Sequence, residues 1–231
     1  MPMNRSRPPV KSCWLGSVPY RQAWDLQRSL VDDVRAGESA GTILFLEHPH
    51  VFTIGRKGVA EHILWDEGER KRRQVEVVWS DRGGDATYHG PGQLVGYPVL
   101  DLAANGLDLL VYLRKLEESL IAFLAELGIA GAAVPGLTGV WVGDGKVAAI
   151  GVKFSGGVVS HGLALNLTTD LDYFEGIVPC GITDKKATSV ERLTGRQVPA
   201  EQAARDYAGH LSRALGVTLD WAPAPAELVR A

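Results

Sequence analysis

The chain has 231 residues, which suits one large α/β domain with a substantial core and is short for two full domains. Its hydrophobic content of 45%, charged content of 22% and net charge of −3 exclude wholesale disorder and give no overall attraction to nucleic acid or membranes. We therefore predict a single domain over residues 1–231, in which about residues 1–9 and 221–231 are peripheral.

The cysteines and the N-terminal residues indicate a compartment. Only two cysteines occur, Cys13 and Cys180, which is too few for a disulfide framework and favours a reducing environment. Residues 1–9 carry basic side chains but no apolar segment typical of a secretory signal. No apolar run reaches membrane-spanning length, because charges interrupt residues 107–127. We expect a cytoplasmic protein without a membrane or nucleic-acid partner.

The first half of the chain alternates short apolar runs with one amphipathic segment. Ala23, Leu26, Leu30 and Val34 recur at spacings of three or four, which predicts a helix over Tyr20–Arg35. Predicted strands are Val10–Leu15, Thr42–Glu47, Val51–Ile54, Val75–Ser80 and Leu94–Leu102.

The second half contains the clearest helix, at about Leu107–Leu127, which ends before Gly128. Three antiparallel strands are predicted next, because Asp144-Gly145 is a two-residue hairpin signal and residues 155–157 form a longer turn. The strands are Gly139–Val142, Lys146–Phe154 and Val158–Leu167; a loop is predicted over Thr168–Ile177, and helices over Ala187–Leu193 and Ala200–Leu215. This order predicts an α+β fold with a mixed, mostly antiparallel sheet flanked by helices, and argues against a doubly wound nucleotide fold.

A glycine-rich stretch, Arg82–Gln93, lies between two predicted strands. Its four glycines allow positive φ and let backbone N–H groups approach a ligand closely. The density of polar side chains among them favours a ligand-binding loop over a plain connection. Elsewhere, the basic run Arg70–Arg73 follows acidic residues, which is typical of a solvated loop but also fits docking of an acidic partner.

Cys180 is the candidate nucleophile, since Pro179 and Gly181 place it in a tight turn, whereas Cys13 falls within a strand pattern and is assigned to packing. A thiol needs a neighbouring cation or base to act as a thiolate. The possible partners are Lys146, Lys153, Lys185, Lys186, His89 and His161. From the pattern alone, Lys146 either points into a cleft or, as the pattern favours, completes a turn in water.

Several absences limit the chemistry. No CxxC or HExxH spacing is present, so no metal site is predicted, and His161 also fits a hydrogen-bonded core histidine. Neither a GxxxxGK[ST] loop nor a GxGxxG turn occurs, so nothing indicates a nucleotide.

Four motifs in register closely resemble the octanoyltransferases of lipoic acid biosynthesis. The motifs are Arg82–Gln93, Lys146–Gly151, His161–Asn166 and Pro179–Gly181, and the resemblance extends from about His48 to Ser189. It implies a fold similar to the biotin and lipoate protein ligases, and transfer of an octanoyl group from acyl carrier protein to a lysine of a lipoyl domain. The acceptors it implies are the lipoyl domains of 2-oxoacid dehydrogenase complexes and the glycine cleavage H protein, and it implies no cofactor.

The resemblance also implies residue roles. Cys180 is the nucleophile, Lys146 its partner, and His161 a supporting residue. The residues implied to bind the acyl chain are Arg82, Gly83, Gly84, Asp85, Ala86, Thr87, Tyr88, His89, Ala149, Ile150, Gly151, Gly162, Leu163 and Ala164.

Small residues on adjacent strands predict an acyl groove. We expect Ala148, Ala149, Gly151, Gly162 and Ala164 to leave room for the chain, and a bulky residue at Gly162 to shorten the preferred acyl group. Two other functions stay open at this point. One is an ATP-dependent lipoate or biotin ligase, which would not need Cys180, and the other is a non-catalytic binder of acyl groups or lipoyl domains.

Overall fold

The computed structural model describes residues 8–178 and 186–224. Most of its strands belong to one large mixed sheet. The strands are β1 (Val10–Ser17), β2 (Thr42–Glu47), β3 (Val51–Ile54), β4 (Glu76–Trp79), β5 (Ala86–His89), β6 (Gln93–Asp101), β7 (Ala132–Val134), β8 (Leu137–Val142), β9 (Gly145–Ser155), β10 (Val158–Asn166), β11 (Lys186–Ala187) and β12 (Leu219–Trp221). The large sheet has the order β12-β1-β2-β6-β10-β9-β8-β7, with β11 paired to β9, and a second sheet has the order β4-β3-β5.

Antiparallel pairing predominates in the large sheet. The pairs β1–β12, β1–β2 and β9–β11 are parallel, and the pairs from β2 to β7 are antiparallel. The predicted α+β class with a mostly antiparallel sheet is therefore confirmed, as are the three antiparallel strands β8, β9 and β10.

Helices cover both faces of this sheet. The helices of the described residues are α1 (Tyr20–Arg35), α2 (Glu67–Arg72), α3 (Leu109–Glu126), α4 (Val190–Thr194) and α5 (Ala200–Leu215), of which α1 packs on one face of the sheet and α3 and α5 pack on the other. In β2, Ile43 and Phe45 belong to the core with α3 and α5, whereas Leu44 and Leu46 belong to the core with α1. This alternation follows from the two-residue period of a strand and explains why β2 is apolar on both faces.

The small sheet shares an aromatic core with the segment that leads to residue 178. Phe52 and Tyr88 pack with Ile177, and a 3-10 turn over Leu171–Gly176 joins the same cluster. Ile63 bridges Ile177, and Val178 N–H donates to the carbonyl of His62 at 2.8 Å. The chain entering the segment 179–185 is thus anchored to the small sheet.

The basic run predicted as a loop is a helix. Asp66 caps α2 by accepting from Glu69 N–H, and Arg72 and Arg73 form ion pairs with Glu69 inside the helix. Lys71 pairs with Glu67 in the same way. Because these pairs offset much of the positive charge, the structure weakens the basis for an acidic partner docking here.

Other differences from the predictions concern short elements. β5 lies inside the predicted glycine-rich loop, and β7 and β12 were not predicted. The helix predicted over Ala187–Leu193 begins only at Val190, because Ser189 caps it and Ala187 pairs with β9. Trp221, assigned to the peripheral tail, lies in β12 and stacks on Phe45 with ring centroids 5.8 Å apart.

Cys13 is buried in β1, as the packing assignment expects, and burial raises the pKa of its thiol to about 11. Within the described ranges, none of the helices combines the length and apolarity that crossing a membrane requires.

Candidate active site

A cleft lies between the glycine-rich loop and the strands β9 and β10, and it holds about 990 Å³ of empty space that is partly open to solvent. Most of the predicted site residues line it. They are Arg82, Gly83, Gly84, Asp85, Ala86, Thr87, His89, Lys146, Ala149, Ile150, Gly151, His161, Gly162, Leu163 and Ala164. Tyr88 is not among the lining residues, and Cys180 lies outside the described residues.

Arg82 shapes the loop from within. Its buried guanidinium donates to the carbonyl oxygen of Thr53 at 2.6 Å and to that of Asp85 at 2.7 Å. The next residue, Gly83, donates its N–H to the Val152 carbonyl of β9 at 2.8 Å. The close approach leaves little room at Gly151, since a Cβ there would lie 3.0 Å from Gly83 O. Loop and strand are therefore held together as one wall of the cleft.

Tyr88 points away from the cleft, in contrast to its predicted place among the acyl-binding residues. Neighbouring residues of β5 face opposite sides, so Thr87 and His89 line the cleft while Tyr88 enters the aromatic core. Its hydroxyl hydrogen-bonds His50 Nδ1 at 2.8 Å, and its ring stacks on Tyr173 with centroids 5.0 Å apart. The sequence indicated a loop over these residues, so the alternating side-chain directions of strand β5 were not expected.

A β-bulge brings Lys146 to the cleft. Val140 pairs with Ala148, but the next residue, Trp141, pairs with Lys146, so Val147 is one residue too many on β9. Consequently Val147 and Ala148 both pack into the core, and Lys146 lies on the same side as Ala149. A regular strand would have placed Lys146 on the core side with Ala148.

Trp141 and Gly139 of β8 lie next to the side chain of Lys146. Its Nζ lies 5.0 Å from the ring centroid of Trp141, a cation–π contact. Gly139 lies beneath it, since a Cβ there would be 3.0 Å from Lys146 Cε. The N–H of Gly139 donates to Glu117 Oε1 at 3.0 Å, and Glu117 is a buried carboxylate of α3. Lys146 is half-buried at the cleft, not at a solvated turn.

The small residues predicted to form one groove do not share a face. Ala149, Gly151 and Ala164 line the cleft, but Ala148 packs into the core on the other side of β9. Gly162 lines the cleft with its backbone, yet a Cβ added to it would meet Gly96 O of β6 at 2.2 Å. A larger residue at position 162 therefore collides with the sheet, which corrects the prediction that it would fill the groove.

His161 closes the cleft wall through an interruption of the sheet. The ladder between β6 and β10 pairs Val159 with Leu100 and Leu163 with Gly96, but no pairs are formed between them, where Pro98 lacks an N–H. There His161 adopts φ 55°, and its freed N–H donates to Gln27 Oε1 of α1 at 2.7 Å. The bend directs the imidazole towards Asp81.

Asp81 joins His161 to Lys153. His161 Nε2 lies 2.8 Å from Asp81 Oδ1, and Lys153 Nζ lies 2.6 Å from Oδ2. The hydrogen bond from His161, helped by Lys153, holds the pKa of Asp81 well below its usual range. Burial lowers the pKa of His161 despite the neighbouring carboxylate, so the imidazole is neutral at pH 7 and donates Nε2–H to Asp81. Lys153, considered above as a thiol partner, is thus engaged with Asp81.

The cleft also contains residues that the sequence did not single out. They are Tyr20, Gln93, Tyr97, Trp141, Asn166, Phe174 and Ala187. Gln93 and Asn166 end two of the predicted motifs, so that proximity could have signalled them. Lys186, named above as a possible thiol partner, is an exposed residue that lines the cleft, and Lys185 lies outside the described residues. In residues 8–178 and 186–224, no cluster of three or more His, Cys, Asp or Glu side chains could hold a metal ion.

Comparison with known proteins identifies a family and a similar fold. Residues 19–212 match the family model of the lipoyl protein ligase A/B catalytic domain. The fold matches a bipartite lipoate protein ligase of Thermoplasma acidophilum with a TM-score of 0.69 at 19% identity, over 96% of this chain and 90% of that one. A biotin protein ligase of Aquifex aeolicus matches with a TM-score of 0.56 at 18% identity, over 89% and 70% of the two chains. These likenesses confirm the predicted similarity of fold.

The chain belongs to the lipoyl protein ligase A/B catalytic domain family. Within that family, the octanoyltransferase of Rubrobacter xylanophilus is 50% identical over 204 residues, which cover 87% of this chain and 91% of the relative. The chain is therefore a member of the octanoyltransferases, and the resemblance stated from its motifs is confirmed.

Proposed function

We propose that the chain transfers an octanoyl group from octanoyl-acyl carrier protein to the target lysine of lipoyl domains through a thioester on Cys180. The observation that carries the proposal is the position of Lys146, which a bulge brings to a cleft walled by the glycine-rich loop. The acceptors are lipoyl domains of 2-oxoacid dehydrogenase complexes and the glycine cleavage H protein, and the reaction is assigned to the cytoplasm.

The chain on both sides of Cys180 supports this assignment. Before it, the N–H of Val178 donates a hydrogen bond to the carbonyl oxygen of His62. The imidazole of His62 in turn contacts the glycine-rich loop, because its Nδ1 lies 2.6 Å from Asp85 Oδ1. After it, Lys186 pairs with Gly145, directly before Lys146. Residues close in sequence to Cys180 are thus attached to the loop on one side and to the Lys146 strand on the other.

The chemistry proceeds in two acyl transfers. The Cys180 thiolate attacks the carbonyl carbon of the octanoyl thioester; a new C–S bond forms, the old one breaks, and the carrier sulfur leaves as a thiol with the proton of the Lys146 ammonium. A lysine amine of the acceptor then attacks the same carbon, a C–N bond forms, and the electron pair of the C–S bond returns to Cys180. Lys146 favours the thiolate as an ammonium and, when neutral, takes the proton of the incoming amine.

The energetics explain why this route needs no activating nucleotide. Exchange of one thioester for another is close to balanced, and amide formation from a thioester runs downhill. The cleft contributes apolar contacts for the acyl chain from Ile150, Leu163 and Ala164. The N–H groups that stabilise the oxyanion are assigned in this proposal to the glycine-rich loop or to the turn at Cys180 and Gly181. Binding and orientation are the main tasks of the protein here.

Intact-mass measurement after incubation with octanoyl-acyl carrier protein, without ATP, tests the proposal. We expect an octanoyl adduct on the wild type, no adduct on Cys180→Ala, and formation slowed at least about a hundredfold in Lys146→Met. Cys13→Ala is the matched control, because this buried thiol lies in β1 and should leave the adduct unchanged. Transfer that requires ATP and survives Cys180→Ala would instead establish ligase chemistry, and an absent adduct with retained acyl binding would indicate a passive binder.

A further inference from the structure

A chain of buried hydrogen bonds connects the glycine-rich loop to the strand of Lys146. His89 Nδ1 lies 2.7 Å from Gln93 Oε1, and Gln93 Nε2 donates to Asn166 Oδ1 at 2.9 Å. Asn166 Nδ2 then donates to the carbonyl of Thr188 at 2.9 Å, and Thr188 N–H donates to the carbonyl of Lys146 at 3.0 Å. All four side chains, His89, Gln93, Asn166 and Thr188, are buried.

Backbone carbonyl groups determine which atom donates in each hydrogen bond of this series. The carbonyl oxygens of Tyr88 and Thr188 can only accept, and they receive hydrogen bonds from the amide nitrogens of Gln93 and Asn166 respectively. The amide orientations are therefore fixed by their partners, and Gln93 presents its oxygen to His89. His89 must carry its proton on Nδ1 to donate to that oxygen.

The result is a single form of the His89 imidazole. Burial, helped by the positive charge of Arg82, lowers the pKa of His89 well below its ordinary value, so the ring is neutral. With the proton on Nδ1, Nε2 carries a lone pair. Within residues 8–178 and 186–224 the His89 imidazole forms its hydrogen bond through Nδ1, no hydrogen bond involves Nε2, and the residue lines the cleft.

We propose that Gln93 and Asn166 are positioning residues that hold His89 as the neutral Nδ1–H tautomer, with Nε2 offered to the acceptor amine, and that tie it to the Lys146 strand. The inference rests on the proposed function and adds to it a group for the second half-reaction. Of the two reactants, only the amine carries N–H donors on its reacting atom, whereas the thioester carries none. A hydrogen-bond acceptor such as Nε2 can therefore orient the amine for attack. Lys146, as proposed above, remains the group that takes the proton from the amine.

This assignment separates the two half-reactions. Loss of the network should impair attack by the amine, which depends on the orientation of His89, far more than formation of the acyl-enzyme. A merely structural role of the buried amides would lower both steps together, because it would act through the fold of the whole cleft.

The first experiment compares Gln93→Leu with the wild type in single-turnover measurements of each step. We expect acyl-enzyme formation from octanoyl-acyl carrier protein to change by less than about threefold, and transfer from the isolated acyl-enzyme to a lipoyl domain to slow by at least about tenfold. Ser119→Ala is the control, because it removes a 2.7 Å hydrogen bond to Tyr207 in the core between α3 and α5. It should lower the melting temperature without separating the two rates. Equal losses in both steps of Gln93→Leu, or no loss in either, overturn the proposal.

The second experiment reads the tautomer directly and remains informative if Gln93→Leu fails to fold. In ¹⁵N-labelled wild type, the His89 signals, assigned with His89→Gln, should show a protonated Nδ1 and an unprotonated Nε2. A protonated Nε2 in the wild type overturns the proposal. Failure of the wild type to form any acyl-enzyme would count against the proposed function instead, and the tautomer measurement keeps the two failures distinct.

Discussion

Gly139 provides the space in which the side chain of Lys146 lies. A Cβ on Gly139 would come within 3.0 Å of Lys146 Cε and 2.5 Å of Ala148 O, and the residue has φ 122°. Contact with a side chain and with backbone at once means that the site tolerates no larger residue there. The geometry of one strand, β8, thereby determines where the amine of the next strand points.

Gly139→Ala should displace Lys146 and lower the rate of acyl-enzyme formation by more than about tenfold. The physical reason is the collision with the bulge of β9, in addition to strain at positive φ of about 1–3 kcal/mol. The rate is measured by intact mass, and the stability by thermal unfolding. Gly136→Ala is the matched control, because Gly136 also has positive φ but nothing lies within 4 Å of its Cβ position. An equal loss of rate in both variants would contradict the prediction.

Periodicity and turn signals sufficed for most of the fold. The hairpin signal Asp144-Gly145 and the glycine turn after Ser155 correctly predicted three antiparallel strands, because turn chemistry is local. Helix α3 was predicted within two residues at its start, and Asp108 caps it by accepting from Val111 N–H. Turns and helix ends that depend on a few neighbouring residues could therefore be predicted from the sequence.

The directions of the side chains at the site could not be predicted from the sequence. Strand alternation places Lys146 with Ala148, and only the extra residue Val147, seen through pairing with β8, reverses this. The displacement of His161 depends in the same way on Pro98, a residue of another strand. Whether Lys146 enters a cleft is thus decided by pairing across the sheet, which a single sequence does not state.

Ala149→Leu should shift acyl preference towards shorter chains, since Ala149 lines the cleft. Each methylene that no longer fits costs about 0.8 kcal/mol, or roughly a fourfold loss of relative rate per carbon. The measurement compares hexanoyl and octanoyl donors in competition. Ala148→Leu is the matched control, because Ala148 packs into the core, where overpacking costs about 1–3 kcal/mol of stability. Unaltered chain preference in Ala149→Leu, or an equal shift in Ala148→Leu, would refute this assignment of faces.

Gly162→Ala should destabilise the protein and leave chain preference unchanged. The added methyl group meets Gly96 O at 2.2 Å and Pro98 Cδ at 2.8 Å, so β6 and β10 must separate. We expect a loss of about 2–4 kcal/mol, measured by denaturant unfolding, as for other overpacked or strained sites. The residual folded enzyme should keep its ratio of hexanoyl to octanoyl transfer. A stable variant with a shortened acyl preference would restore the groove interpretation of Gly162.

Stability should fall on acidification because of His48. This buried imidazole contacts the Val18 carbonyl through Nδ1 at 2.6 Å and the Tyr97 hydroxyl through Nε2 at 2.8 Å. Burial lowers its pKa to about 4, well below the usual value of 6.5. The unfolded chain therefore binds a proton first as the pH falls, so stability is fully present above pH 6.5 and is lost progressively towards pH 4.

At pH 5 the loss attributable to His48 is about 2 kcal/mol, and His48→Gln should remove it. The glutamine variant will be less stable than the wild type at pH 7.5, because it cannot reproduce both hydrogen bonds, but the gap should narrow at pH 5. Denaturant unfolding at the two pH values gives the comparison. Parallel curves for wild type and His48→Gln would mean that His48 does not titrate across this range.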